Sequence, residues 1–269
     1  MNKERLTLEI AQSLKQNGFQ SARFEAKEIV NCVLGECLWN TEVTPEQLER
    51  IEKMLERRLK NEPLQYILGE WEFFGLLFKV GQGVLIPRQD TETLVETALP
   101  LITPDRNRVF DLCAGSGCIG ITLSKLGKAD VTLFEKSEDA FEYLEQNISL
   151  NGVNVQALQY DVLGKAFDKT ADMIVSNPPY IRTEVVKTLE PEVKCEPMMA
   201  LDGGEDGLIF YRHIANEWKS CLTEGGYLIF EIGFDQGQEV CEILKNAGYK
   251  EVKCIKDLGN NDRVVIGRK

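Results

Sequence analysis

Beyond Pro87 the chain settles into a regular alternation, and nothing else in it restricts the fold as tightly. Short apolar runs at 109–112, 131–134, 155–158, 173–176 and 227–232 are separated by longer stretches whose apolar residues recur at helical spacing. Strands joined through helices lie parallel, because a parallel crossover needs about a dozen residues or more. Two further runs, at 250–256 and 263–267, have only a short turn between them. That is too little chain for a crossover, so the final pair is antiparallel. The prediction is an α/β protein with a mostly parallel sheet that ends in an antiparallel strand.

The first quarter of the chain follows another rule. From Leu6 to Leu59 the apolar residues keep a helical period, with Gly and Pro at the segment ends. One helix is expected to end near Gly18 and a second to span residues 22–34. A third opens with Thr44 as cap, Pro45 in the first turn and Gln47 where a capping box needs it. Its apolar stripe is Leu48, Ile51, Leu55 and Leu59, and the pairs Glu46/Arg50, Glu49/Lys53 and Glu56/Lys60 fall on the outer face. Residues 69–83 alternate aromatic and apolar residues between glycines, the pattern of a hairpin, and a helix is expected over 90–101. The predicted organisation is a helical domain at 1–68, a linking hairpin at 69–86 and an α/β domain at 87–269.

Charge narrows the partners. The 269 residues carry a net charge of -12, and within 76–269 there are 21 Lys and Arg against 30 Asp and Glu. Nucleic-acid affinity comes largely from cations that neutralise phosphates, so this balance opposes it. Eight cysteines occur without a C-x-x-C, and with one histidine they form no zinc quartet. They are expected as small buried residues in a reducing compartment. The charged N-terminus resembles neither a signal peptide nor a membrane anchor, so a soluble cytoplasmic protein without membrane contact is expected.

Two motifs carry the chemistry. Phe110-Asp111-Leu112-Cys113-Ala114-Gly115-Ser116-Gly117-Cys118-Ile119-Gly120 places a Gly-rich turn between a strand and a helix, where a ligand can approach the backbone. It also satisfies G-x-G-x-x-G, so a nicotinamide cofactor competes with S-adenosylmethionine. Asp111 favours the second, since a strand-end carboxylate repels a pyrophosphate and suits a cationic methionyl end. Glu135 closes the next strand, where it can accept from ribose hydroxyls. Asp161, at the same sheet edge, can reach an adenine amino group while Val162 packs on the ring.

The second motif, Asn177-Pro178-Pro179-Tyr180, directly follows the fourth apolar strand. Consecutive prolines have no N–H, so they offer carbonyls only, and Asn177 adds a side-chain oxygen. A planar NH2 group meets acceptors there, which aim its lone pair at a methyl carbon. Tyr180 offers a flat face. Adenine, guanine and glutamine amino groups all fit this chemistry. No general base is apparent, and His213 is expected to pack or lie on a helix surface.

With these residues the chain resembles the release factor glutamine methyltransferases, the HemK-like enzymes, from about Ala22 to the C-terminus. The likeness runs through Pro63 to Gly69 with Phe73 and Gly75, and through Val84 to Arg88. It continues at Asp111 to Cys118, Asn177 to Tyr180, Glu196-Pro197 with Ala200-Leu201, Gly203-Gly204 and Asp206-Gly207. Further matches are Glu231-Ile232-Gly233 with Gln236, and Asp257-Leu258 with Arg263. The resemblance implies a Rossmann-like class I methyltransferase sheet with a small N-terminal helical domain that helps hold the substrate. It implies methylation, from S-adenosylmethionine, of the glutamine in the Gly-Gly-Gln loop of peptide chain release factors. The expected cofactor set is Asp111, Cys113, Ala114, Gly115, Ser116, Gly117, Glu135, Asp161, Val162 and Asn177. Asn177, Pro178, Pro179 and Tyr180 form the expected catalytic and substrate set, and no metal is expected. The chain departs from the family pattern at Gln89, where a second proline is frequent, at Ala114, and at Glu135 in place of the commoner aspartate. The competing function is a nucleic-acid amino methyltransferase, which uses the same tetrad on a flipped adenine or guanine.

Overall fold

The computed structural model describes all 269 residues. The chain divides into two compact units, Met1–Glu70 with Pro191–Cys195, and Trp71–Glu190 with Glu196–Lys269.

The first unit is helical: α1 (Lys3–Gln16), α2 (Ala22–Leu34), α3 (Pro45–Leu59) and the one-turn α4 (Leu64–Leu68). Asn2 caps α1 and Thr44 caps α3, and the latter forms the full capping box with Gln47. Leu6, Ile10, Leu14, Ile29, Val30 and Ile51 form the core, with Leu48, Leu55 and Leu59 packed against it. Of the three i,i+4 pairs on α3 only Glu49–Lys53 closes, at 2.6 Å, as the low net worth of exposed pairs allows. The unit also holds a buried cation. Arg58 is 3% exposed, pairs with Glu25 and Glu192 at 2.6 Å each, and lies over the Phe19 ring at 4.2 Å. Glu192 comes from the five residues that join these helices from far along the chain.

In the second unit a hairpin comes first, β1 (Glu70–Phe73) and β2 (Leu76–Lys79). Phe74 and Gly75 both have positive φ, 52° and 74°, the signature of a tight turn matched to strand twist. The segment expected as one helix over 90–101 is broken into a 3-10 turn (Gln89–Thr91), α5 (Glu92–Ala98) and a second 3-10 turn (Leu99–Leu101). Pro100 cannot supply the amide that continuation requires.

The sheet follows: β3 (Arg108–Leu112), α6 (Cys118–Gly127), β4 (Asp130–Glu135), α7 (Glu138–Asn151), β5 (Gln156–Gln159), β6 (Ala171–Ser176), α8 (Thr183–Val186) and α9 (Ile209–Glu217). β7 (Leu222–Glu231), α10 (Gly237–Asn246), β8 (Lys250–Lys256) and β9 (Asp262–Arg268) complete it. The seven strands are ordered β5-β4-β3-β6-β7-β9-β8, with β9 antiparallel to both neighbours and the other pairs parallel. Both faces are apolar. Val109, Val131, Leu133, Val175 and Ile229 point into one layer, while Phe110, Phe134, Ile174, Leu228 and Phe230 point into the other. The second layer is aromatic, with Phe134 edge-on to Phe110 and Trp218 at 5.2 Å each.

One expectation fails in part. The eight thiols are free, but only Cys118 and Cys221 are buried, and Cys32, Cys195 and Cys254 are exposed. Small size permits burial without enforcing it, because each cysteine follows the face on which its element places it. No helix is long and apolar enough to cross a membrane, and no cluster of His, Cys, Asp and Glu could hold a metal ion.

Candidate active site

Strand order creates the site. β4 and β5 lie to one side of β3, and β6 and β7 to the other. Chain order therefore reverses between β3 and β6, and a crevice opens at their carboxyl ends. The glycine turn follows β3 and the 177–180 turn follows β6. The Ser176 hydroxyl donates to the Leu112 carbonyl at 2.7 Å, joining the two strand ends. A cleft of about 970 Å³, counted out to its open mouth, occupies the crevice.

On one rim the backbone turns sharply, with Cys113, Gly115 and Gly117 at φ of 60°, 55° and 80°. A Cβ added to Gly115 meets nothing within 4 Å, so this backbone faces open cleft. One added to Gly117 would stand 2.4 Å from a Leu144 methyl, so that glycine serves packing. Glu135 holds the turn from the next strand: one carboxylate oxygen accepts from Gly115 N and the other from Ser137 N, both at 2.7 Å. Burial pushes its carboxyl above the usual range. Asp111 is fully buried; Oδ2 accepts from Gly120 N at 2.8 Å and Oδ1 has no hydrogen-bond partner within the protein. Burial pushes its carboxyl up to about 7. Asp161 pairs with Lys136 at 2.8 Å, which holds its carboxyl low, and accepts from Leu163 N. The Val162 carbonyl accepts from the Trp218 indole at 2.9 Å.

The opposite rim is the 177–180 turn. Asn177 donates through Nδ2 to the Thr91 hydroxyl at 3.3 Å. Tyr180 donates to Glu231 Oε1 at 3.3 Å, and its backbone carbonyl accepts from Gln236 at 3.0 Å. The chain leaves the turn through a bridge between Ile181 and Asp202. Gly203 is pressed against the turn, where a Cβ would lie 2.7 Å from Tyr180 Cα. Glu231 is 1% exposed and its Oε2 has no hydrogen-bond partner within the protein. Burial pushes its carboxyl up to about 7 against the opposing pull of Thr91, Arg263 and Tyr180.

Cys113, Ala114, Gly115, Ser116, Glu135, Asp161, Val162, Asn177 and Pro179 line the cleft together. Asp111, Gly117, Pro178 and Tyr180 do not: they sit behind it, where they shape the two turns. Sequence reasoning missed Thr91, Lys136, Tyr160, Met199 and Phe210, which also line it. Each comes from a loop or helix without a motif of its own. His213 lies outside the cleft lining and contacts the Gly164 carbonyl at 3.0 Å.

The donor set discriminates between cofactors. Arg88 and Lys136 are the cations lining the cleft, and each is engaged, Arg88 with Glu196 and Lys136 with Asp161. A pyrophosphate finds no free cation. A nucleoside with a cationic sulfonium finds an open backbone at Gly115, carboxylates at Glu135 and Asp161, and an apolar wall at Val162 and Leu163.

Sheet order, glycine turn and tetrad together define a Rossmann-like class I methyltransferase. Comparison agrees: the methyltransferase small domain family matches residues 89–194, and the PrmC N-terminal domain family matches residues 6–69. The release factor glutamine methyltransferase of Thermodesulfovibrio yellowstonii is 43% identical over 237 residues, covering 86% of this chain and 85% of the relative. That of Geobacter sulfurreducens is 39% identical over 263 residues, covering 95% and 92%. A solved methyltransferase from Pyrococcus furiosus shares the fold, with TM-score 0.57 and 20% identity over 84% of this chain and 99% of that one. The chain belongs to the release factor glutamine methyltransferase family.

Proposed function

We propose that this protein methylates the side-chain amide nitrogen of the glutamine in the Gly-Gly-Gln loop of a peptide chain release factor, using S-adenosylmethionine. The observation that carries the reading is the pairing of the two rims: an open glycine backbone with strand-end carboxylates faces a turn whose prolines offer only acceptors. When bound, the cofactor supplies a methyl group on a sulfonium, a good leaving group. Gly115, Glu135, Asp161 and Val162 hold the nucleoside. Asn177 Oδ1 and the backbone carbonyls of the turn take the two N–H bonds of the glutamine amide. That turns the nitrogen lone pair toward the donor and favours the positive charge that grows on the nitrogen. No protein base is required, because the methylated nitrogen becomes acidic and gives its proton to water.

Recognition of a whole release factor needs contacts beyond one side chain, and we assign these to the helical domain at 1–68, in a cytoplasmic protein. The test is to incubate the full-length protein with labelled donor and, in parallel, release factor, the same factor with its loop glutamine changed to alanine, DNA and RNA. Label only on the intact release factor is the expected result. Transfer to nucleic acid, or equal transfer to the glutamine-less factor, overturns the reading.

A further inference from the structure

We propose that Asn147 of α7 is a positioning residue for the methyl donor: through one amide it fixes the register of residues 77–83 along α7 and ties that segment to the glycine turn. The inference rests on the reading that the donor is held at Gly115. β2 has β1 on one side and no strand on the other, so one edge of the hairpin offers backbone groups that no strand pairs. Two asparagines of α7 take them up. Asn151 Nδ2 donates to the Leu77 carbonyl at 3.0 Å, while Asn147 serves both groups of Lys79, accepting from N at 2.6 Å and donating to O at 3.1 Å. The second hydrogen of Asn147 Nδ2 goes to the Ser116 carbonyl at 2.9 Å. Asn147 is fully buried, and the oxygen and both hydrogens of its amide are engaged. Its partners settle which way the amide is turned, since Lys79 N can only donate and the two carbonyls can only accept.

The same stripe of α7 guides the chain onward. Asp139, Tyr143, Asn147 and Asn151 recur every four residues, a rise of about 6 Å per step. Opposite them stand Gly83, Gly81, Lys79 and Leu77, two residues apart, which is about 6.6 Å per step in extended chain. The two repeats match, so helix and segment run antiparallel in register. Both glycines answer to this closeness: a Cβ on Gly83 would lie 2.6 Å from Asp139 Cβ, and one on Gly81 would overlap the Tyr143 hydroxyl. Val80 and Val84, at alternate positions, are buried in one cluster with Ala140 and Tyr143. From Gly83 the chain enters the wall of the cleft, where Leu85, Ile86, Pro87 and Arg88 line the same space as Ser116. A slip of two residues would displace that wall by about 6.6 Å. Asn147 touches both the segment and the glycine turn, so it sets the wall against the backbone that meets the donor.

The experiment uses the full-length, 15N-labelled protein with Asn147→Leu, Asn151→Leu and Gly81→Ala. Calorimetry reads S-adenosylmethionine affinity, turnover is measured at saturating donor, and hydrogen exchange at the Lys79 amide is followed by NMR without donor. Asn147→Leu should speed Lys79 exchange about tenfold or more and weaken donor binding about tenfold or more, with kcat at saturating donor within about threefold. Asn151→Leu loses a hydrogen bond at the far end of the segment and has no tie to Ser116. Its Tm should fall too, but its donor affinity should stay within about threefold. Gly81→Ala, which lifts the segment from Tyr143, should weaken donor binding as Asn147→Leu does. Wild-type donor affinity in Asn147→Leu overturns the proposal, as does unchanged Lys79 exchange, or an Asn151→Leu protein that binds donor as poorly as Asn147→Leu. If Asn147→Leu does not fold, Gly81→Ala decides by its donor affinity against that of Asn151→Leu. A wild-type protein that binds no donor strikes the cofactor reading, and Lys79 exchange then decides the register by itself.

Discussion

The glycine turn draws its support from nearby chain: Asp111 lies 9 residues from the Gly120 amide it accepts, and Glu135 lies 20 residues from Gly115. The tetrad rim is held from much farther away. Thr91 is 86 residues from Asn177, while Glu231 and Gln236 are 51 and 56 residues from Tyr180. One rim is a local motif that an adjoining strand completes, whereas the other exists only once the sheet has assembled. Lesions in the first should therefore appear as lost donor affinity. Lesions in the second should appear as lost turnover with the donor still bound.

The sharpest division is expected from Asn177→Ala. It should lower kcat about 10²- to 10³-fold, the scale on which an oriented dipole acts in a transition state, with donor affinity within about threefold. Single-turnover assays beside calorimetry would show it, and a loss confined to KM would make Asn177 a plain binding residue.

Next come two glycines that look alike in sequence. In Gly207→Ala the new methyl would lie 2.4 Å from the Tyr180 carbonyl oxygen at a φ of +74°, so the turn must shift. Turnover should drop about 10- to 100-fold with little change in donor affinity. Gly115→Ala meets no protein atom but puts its methyl in the cleft at a φ of +55°. It should weaken donor binding about tenfold or more while costing about 1 kcal/mol of stability. If both variants fail in the same assay, the division between the rims is broken.

Glu135→Gln tests the donor rim more gently. Both carboxylate oxygens receive backbone N–H donors, and an amide NH2 must oppose one of them. Donor affinity should fall by about 1.5 to 3 kcal/mol, with kcat at saturating donor largely kept. Unchanged affinity by calorimetry would remove Glu135 from the cofactor site.

The smallest effect on chemistry is expected from Asp111→Asn, which acts on stability. The carboxyl titrates near 3.8 when exposed and at about 7 in the fold. Between those values the unfolded chain releases a proton that the folded chain keeps, so Asp111 makes stability fall as pH rises, by an amount that is constant above about 7. Asparagine removes that cost and keeps an oxygen for Gly120. Tm should be unchanged below about pH 4 and raised at pH 8; a uniform shift at every pH would contradict the assigned cause.

Much of this was legible in the residues. The seven strands fall near the runs that predict them: the inner strands are apolar because they are buried on both faces, whereas the edge strands β5 and β8 are largely exposed and keep polar residues. α3 begins at its Thr44 cap and α2 ends at Gly35, as capping and glycine predict. α4 was missed because five residues are too few to show a period, and Pro100 divided a helix that apolar spacing alone had made continuous. The glycine turn could be recognised because its φ values demand particular residues. The tetrad could be recognised because two prolines remove donors that no other residue removes.

By itself the sequence determined the strand-and-helix alternation, the antiparallel end, the helical first unit and the two turns that follow β3 and β6, since each depends on periodicity or on residues within one turn of chain. Only the tertiary structure decided that Asp111 lies behind the cleft rather than along it, that residues 191–195 join the helices through Glu192 and Arg58, and that Thr91, Glu231 and Gln236 converge on the tetrad. Those meetings follow from sheet order and from which loop crosses which strand end. Such long-range closure leaves no period, spacing or turn signature by which it could be read along the chain.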